Sequence, residues 1–155
     1  MHLSSTSIAA GSYIALAHAE PGVGGQNISP ELSWTPGPEG TASYAVTCFD
    51  PDAPTGSGWW HWVVTDIPAD VTSLAEGAAL PSGARTWIND YGYPGWGGPW
   101  PPPGPAHHYE FRVVAVSVAR LDVPDDASSA SARLTLSFSS LDDARFTALF
   151  ANPAS

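Results

Sequence analysis

The stretch HYEFRVVAVSV, His108 to Val118, limits what this chain can fold into more than any other. Polar residues at His108, Glu110 and Arg112 alternate with apolar ones, which is the period of a half-buried strand and not of a helix. Two shorter stretches share the pattern, SYAVTCF (Ser43 to Phe49) and WHWVVTDIP, which ends at Pro68. The three are expected to pair at the centre of an antiparallel sheet. NISPELSW (Asn27 to Trp34) reads as a turn feeding a short edge strand, because Pro30 has no amide hydrogen to donate. Helix and strand signals conflict in SSASARLTLSFSS, which is read as a short helix. In SSLDDARFTALF, Ser140 is a candidate N-cap, Asp142 and Asp143 sit in the first turn, and Leu141, Phe146, Leu149 and Phe150 share a helical face, predicting a C-terminal helix. Sixteen Pro and fifteen Gly beside seven Trp suggest short strands joined by shaped turns, not disorder. The reading is mainly β, one domain over residues 1–155, with no repeats and no linker.

Charge narrows the function. Five Arg and no Lys stand against fifteen Asp plus Glu, for a net charge of −10. A chain without a basic stripe is a poor partner for nucleic acid, and its field repels anionic membranes. Any anion it binds must be held by a local site working against that field. Cys48 is the single cysteine, so no intramolecular disulfide can form and a cytoplasmic setting is expected. IAAGSYIALAHAEPG lacks a positive n-region and is interrupted by Gly11, Ser12 and Tyr13, which disfavours a signal peptide. No stretch approaches the roughly 20 apolar residues of a membrane span, so no integral membrane association is expected.

Within this frame one segment concentrates chemistry: FDPDAPTGSGWWHWVV places two aspartates between prolines, then a histidine among three tryptophans. Pro51 and Pro54 hold Asp50 and Ala53 extended, which fixes the aspartate at low entropic cost. Asp52 is expected to cap its own turn, and Trp59, Trp60 and Trp62 to serve as core and cover. Period-two geometry puts His107 with Tyr109, Phe111, Val113 and Ala115 on an apolar face, and His108 on the polar one. The same count groups His61 with Trp59 and Val63, and Asp50 with Val46 and Cys48. Three polar groups thus interrupt apolar rows, which points to a shared pocket. The proline-rich GYPGWGGPWPPPGPAHHY (Gly92 to Tyr109) is expected to pack on the sheet as a wall, since Trp96 and Trp100 would be costly in water.

DPDAP, a Gly-containing link, WWHW and IP, then GYPGWGGPWPPPGPAHHYEF, with GQNISPELSW near the start, together resemble the phosphatidylethanolamine-binding protein (PEBP) family. The bacterial Raf-kinase-inhibitor-like branch is the nearest in pattern. The likeness runs from Ser5 to about Val118, and its specificity lies in the order and spacing of elements that are individually weak. It implies a large antiparallel sheet, a smaller second sheet, Greek-key connections, one or two short helices, and a small cavity for anions such as phosphate head groups. By motif position Asp50, His61 and His107 would line the cavity, Pro101 and Pro102 would form its rim, Gly98 would lie nearby and Tyr109 behind His107. The chain departs in its extra prolines, where related sequences tend to have Lys or polar residues, and in Phe150, where a tyrosine or similar polar aromatic is expected.

Anion chemistry suits these residue types. Phosphate presents acceptor oxygens, so the site must offer donors, from imidazoles and from backbone amides such as those of Gly97 and Gly98. An aspartate suits such a site if it orients an imidazole or carries a proton. The expected function is non-catalytic binding of a small anion of the phosphate or phosphoethanolamine type, without a cofactor. Alternatives are a regulatory interaction protein that reads a phosphorylated partner to modulate a kinase or protease, and a metal-dependent enzyme using the two histidines and the carboxylate. A serine hydrolase is disfavoured by the lack of a Gly-x-Ser-x-Gly elbow. Oligomeric state stays open, a homodimer included.

Overall fold

In the computed structural model, which describes residues 1–155, the chain runs β1 (Leu3–Ser4), β2 (Leu32–Trp34), β3 (Ser43–Asp50), β4 (Trp59–Pro68), β5 (Ser73–Leu74), β6 (Arg85–Thr86), β7 (His107–Val116), α1 (Ser129–Phe138) and β8 (Ser140–Phe150). Five strands form the large antiparallel sheet in the order β6-β4-β3-β7-β8, and three form a smaller one in the order β1-β2-β5. Strands β3, β4 and β6 lie side by side, and β7 then returns over a long connection to the free edge of β3, the spatial order of a Greek key.

The alternation read from sequence is used on both sheet faces. Val46, Cys48, Tyr109, Phe111, Val113 and Ala115 face the small sheet's Leu3, Leu32, Trp34 and Leu74 in one core cluster of 21 buried residues. Phe111 stacks between Trp96 and Phe146, with ring centroids at 6.0 and 5.0 Å. The opposite face is covered by α1, whose Leu136 meets Ala45, Val114 and Val116 and whose Ala132 meets Val63 and Trp87. The two sheets and the helix are the expected parts, and β3, β4 and β7 pair as predicted.

Three elements differ from the sequence reading. The C-terminal segment is a strand, not a helix: β8 pairs with β7 from His107 opposite Phe150 to Val116 opposite Ser140. Without it β7 would present a long row of unpaired backbone groups, and pairing outweighs a helical face of which only Phe146 and Phe150 share the inward side of the strand. Phe146, Ala148 and Phe150 are buried while Arg145 and Thr147 are exposed. Ser140 caps nothing, and the helix N-cap is Ser128, which accepts from the Ser131 amide at 3.1 Å. Strand β2 is central in its sheet, not an edge, which is possible because Pro30 lies outside the paired residues.

The third difference lies in β4. Cys48 is opposite Trp62 but Phe49 is opposite Trp60, so His61 is the extra residue of a bulge. Trp59 and His61 stay on the recess side, and past the bulge Trp62 and Val64 take that face. Val63 turns to α1, away from the face where strict alternation had put it with His61.

Candidate functional site

At the end of the large sheet the β3–β4 turn, the start of β7 and the proline-rich loop enclose a recess of about 300 Å³. Each wall follows from local sequence. Pro51 ends β3, and Asp50, its last residue, turns a carboxylate oxygen, Oδ1, back to accept the Asp52 amide at 2.7 Å. Asp50 Oδ2 accepts a hydrogen bond from His107 Nδ1 at 2.7 Å, across 57 residues of sequence. Two residues on, Asp52 Oδ2 accepts both the amide and Nδ1 of His108, each at 2.7 Å, and these bonds hold the Asp52 carboxyl below the usual carboxylate range. Asp52 therefore clamps the turn to β7 rather than capping its own turn.

His61 sits at the base. Its Nδ1–H donates to the Gly97 carbonyl at 2.6 Å, and burial pushes its pKa down, so the ring is neutral near pH 7 and offers Nε2 as an acceptor. Three buried polar atoms on lining residues have no hydrogen-bond partner within the protein: Trp59 Nε1, His61 Nε2 and Tyr109 Oη. Burial raises the Tyr109 phenol, which keeps its proton and remains a donor. Tyr91 packs edge-on to Trp59 and His61, with centroids at 5.3 and 5.7 Å, and spends its hydroxyl on the Gly98 carbonyl at 2.8 Å. The mouth is apolar, made of Ala53, Pro54, Trp100, Pro101 and Pro102.

Of the residues expected here, Asp50, His61, His107, Tyr109, Pro101 and Pro102 all line the recess, and Gly98 does not. The Gly97 and Gly98 amides offer nothing to a ligand, since Gly97 donates to the His61 carbonyl at 2.9 Å and Gly98 to Asn27 Oδ1 at 2.8 Å. Gly98 matters for close approach: a Cβ there would stand 2.0 Å from the His18 carbonyl oxygen. Trp96 is buried in the core, while Trp100 is half exposed at the rim. Sequence reasoning missed Tyr91, Ala53, Pro54 and Thr55, and assigned Trp59 to core and cover. Parity had already placed Trp59 beside His61. Tyr91 carried no comparable signal, because its position depends on a turn tied to β4 through Asp90 Oδ2, which accepts the Trp60 amide at 2.7 Å.

Chemically, side chains that line the recess carry buried donors, on Trp59 and Tyr109, and a buried acceptor, on His61. Both Asp50 oxygens are engaged, so its charge orients an imidazole instead of facing a guest. No three His, Cys, Asp or Glu side chains are disposed to hold a metal ion. Cys48 is fully buried, and burial pushes its thiol pKa well up, which removes it as a nucleophile.

A mainly β, two-sheet protein with a His/Asp/Tyr recess at one sheet end is the class that fold and site define. The chain belongs to the phosphatidylethanolamine-binding protein family, which matches residues 4–151. Among its relatives are two Escherichia coli proteins, YbhB, 44% identical over 97% of this chain and 99% of its own length, and YbcL, 43% identical over 96% and 86%. The crystal structure of YbcL, described as a new member of the mammalian PEBP family, superposes with a TM-score of 0.91 at 42% identity, covering 97% of both chains. A Chlamydia trachomatis PEBP homologue, CT736, gives a TM-score of 0.84 at 26% identity, covering 96% of this chain and 95% of its own. No helix is long and apolar enough to cross a membrane.

Proposed function

We propose that the protein is a non-catalytic binder of a small phosphate-type anion, free or as the head group of a phosphomonoester such as phosphoethanolamine. The observation that carries this reading is the set of three buried, unpartnered polar atoms, Trp59 Nε1, His61 Nε2 and Tyr109 Oη, around one recess. Buried polar groups without partners cost about 1–3 kcal/mol each, so a guest that satisfies them is strongly favoured. Phosphate oxygens accept from Trp59 and Tyr109, beside His107, whose ring Asp50 holds against the same recess. A protonated phosphate oxygen donates to His61 Nε2, a contact that a fully ionised dianion lacks. Because the second ionisation of a phosphomonoester lies near pH ~6, acidification supplies that proton. A cytoplasmic setting belongs to the same reading, supported by the lone, buried cysteine.

Calorimetric titration with inorganic phosphate and with phosphoethanolamine tests it. Saturable binding is expected, tighter at pH 6 than at pH 8 and abolished in His107→Ala. Equal affinity in His107→Ala and the wild type contradicts the assignment.

A further inference from the structure

The opposite face of the large sheet carries a second cavity that the recess does not explain. Between the sheet and α1 lies a groove of about 390 Å³, floored by Thr47, Phe49, Trp60 and Val114 and flanked by Arg112, Arg133 and Arg145. Three of the chain's five cationic side chains gather there, in a protein of net charge −10. Such a concentration against the overall field marks a place where negative charge is welcome.

The three guanidiniums are not equally occupied. Arg112 and Arg145 share one carboxylate oxygen, Asp143 Oδ2, at 2.9 and 2.8 Å. Arg133 pairs with no carboxylate. Its single bond is a long 3.4 Å contact from Nε to Ser129 Oγ, and its guanidinium lies over the Trp60 ring at 4.0 Å from the centroid. Asp90, whose charge acts on it, accepts the Trp60 amide through Oδ2 at 2.7 Å. Trp60 in turn stacks on Phe49 at 4.3 Å, so the indole lies between a phenyl ring and an arginine whose fork has no anion. Glu110 is the one carboxylate among the lining residues, and it makes no ion pair.

We propose that this groove is a second binding site, for a small organic monocarboxylate with an apolar body. The guanidinium of Arg133 matches a carboxylate in planar, paired hydrogen bonds, with Arg145 adding a second positive charge at the open side. The apolar body of the guest packs against Phe49, Val114 and Leu136, which line the same groove. The volume falls at the lower end of the range for small-molecule sites, roughly 300–1,000 Å³. A single free guanidinium beside Glu110 selects against multiply charged guests. The site stands on its own residues and is independent of the recess around His107.

Titration of the full chain with 2-naphthoate, alongside neutral 2-naphthamide and acetate, tests the proposal. The naphthoate is expected to bind saturably below about 5 mM, and each control at least about tenfold more weakly, since each lacks either the charge or the apolar body. Arg133→Gln weakens naphthoate binding by about tenfold, one charge-assisted pair's worth, while His107→Ala leaves it unchanged. If Arg133→Gln melts early for want of its stack on Trp60, the half-exposed Arg145→Gln serves instead, with an expected loss of about threefold. Absence of saturable binding, equal binding of the amide, or unchanged affinity in both arginine variants overturns the proposal. So does loss of naphthoate in His107→Ala, which places the ligand in the other recess. Phosphate binding that survives Arg133→Gln keeps failure here distinct from failure of the anion reading.

Discussion

His61 shows how one side chain can be read correctly in kind and wrongly in detail. Its presence among tryptophans announced a buried polar group, but the bulge that aims it depends on pairing with β3, and no residue type at that position demands a bulge. Asp50 was more legible, because flanking prolines and a terminal position on an alternating strand left it few directions to point. What the sequence withheld was the count of its bonds: both oxygens are engaged, by the Asp52 amide and by His107. His61 also carries a pH signature. Burial holds its folded-state pKa below the unfolded value of about 6.5, so the unfolded chain takes up a proton first and acidification favours unfolding. Stability owed to the neutral ring is complete above pH ~6.5 and is lost as pH falls from there toward the lowered folded value. Asp52 and Asp143, also lowered, act only in the more acidic carboxylate window. Thermal melts between pH 7 and pH 5 are therefore expected to fall less steeply in His61→Gln than in the wild type. Equal slopes would count against a neutral, buried His61.

At the scale of elements, the proline-rich loop does what its composition suggested, packing Trp96 into the core and standing Pro101 and Pro102 at the mouth of the recess. Its seating depends on a close pass of Gly98 along the backbone near His18, where a methyl group would meet the His18 carbonyl oxygen at 2.0 Å. Both sides of that contact are main chain, so neither can rotate away. Gly98→Ala is expected to cost about 1–3 kcal/mol, the usual range for overpacking, and to weaken phosphate binding by displacing the rim. Chemical denaturation together with a phosphate titration checks both effects, and native stability with native affinity would show that the approach is not tight. The elements legible in the sequence were those whose pattern had one solution, β3, β4 and β7 by alternation, whereas α1 was read as a helix from conflicting signals. The C-terminal strand was not legible, because Leu141, Phe146, Leu149 and Phe150 fit a helical face, while the deciding partner, the edge of β7, is distant in sequence.

Across the whole molecule, a strongly acidic chain sets apart two small regions of different chemistry on opposite faces of one sheet. The recess at the sheet end has no arginine among its lining residues, and its carboxylate is bonded to His107. The groove beneath α1 gathers the cations. Composition alone excluded a basic binding stripe, and three of the five arginines still converge once β7, β8 and α1 are assembled. The central claim concerns the recess, that His61 and His107 meet one guest together. Imidazole ¹⁵N resonances followed at pH 6 while inorganic phosphate is added test it most directly. The Nε2 signals of His61 and His107 are predicted to move along a single saturable curve with one dissociation constant, while the exposed His108 stays still. Signals from the two rings that never saturate, or a response confined to His108, would contradict the account.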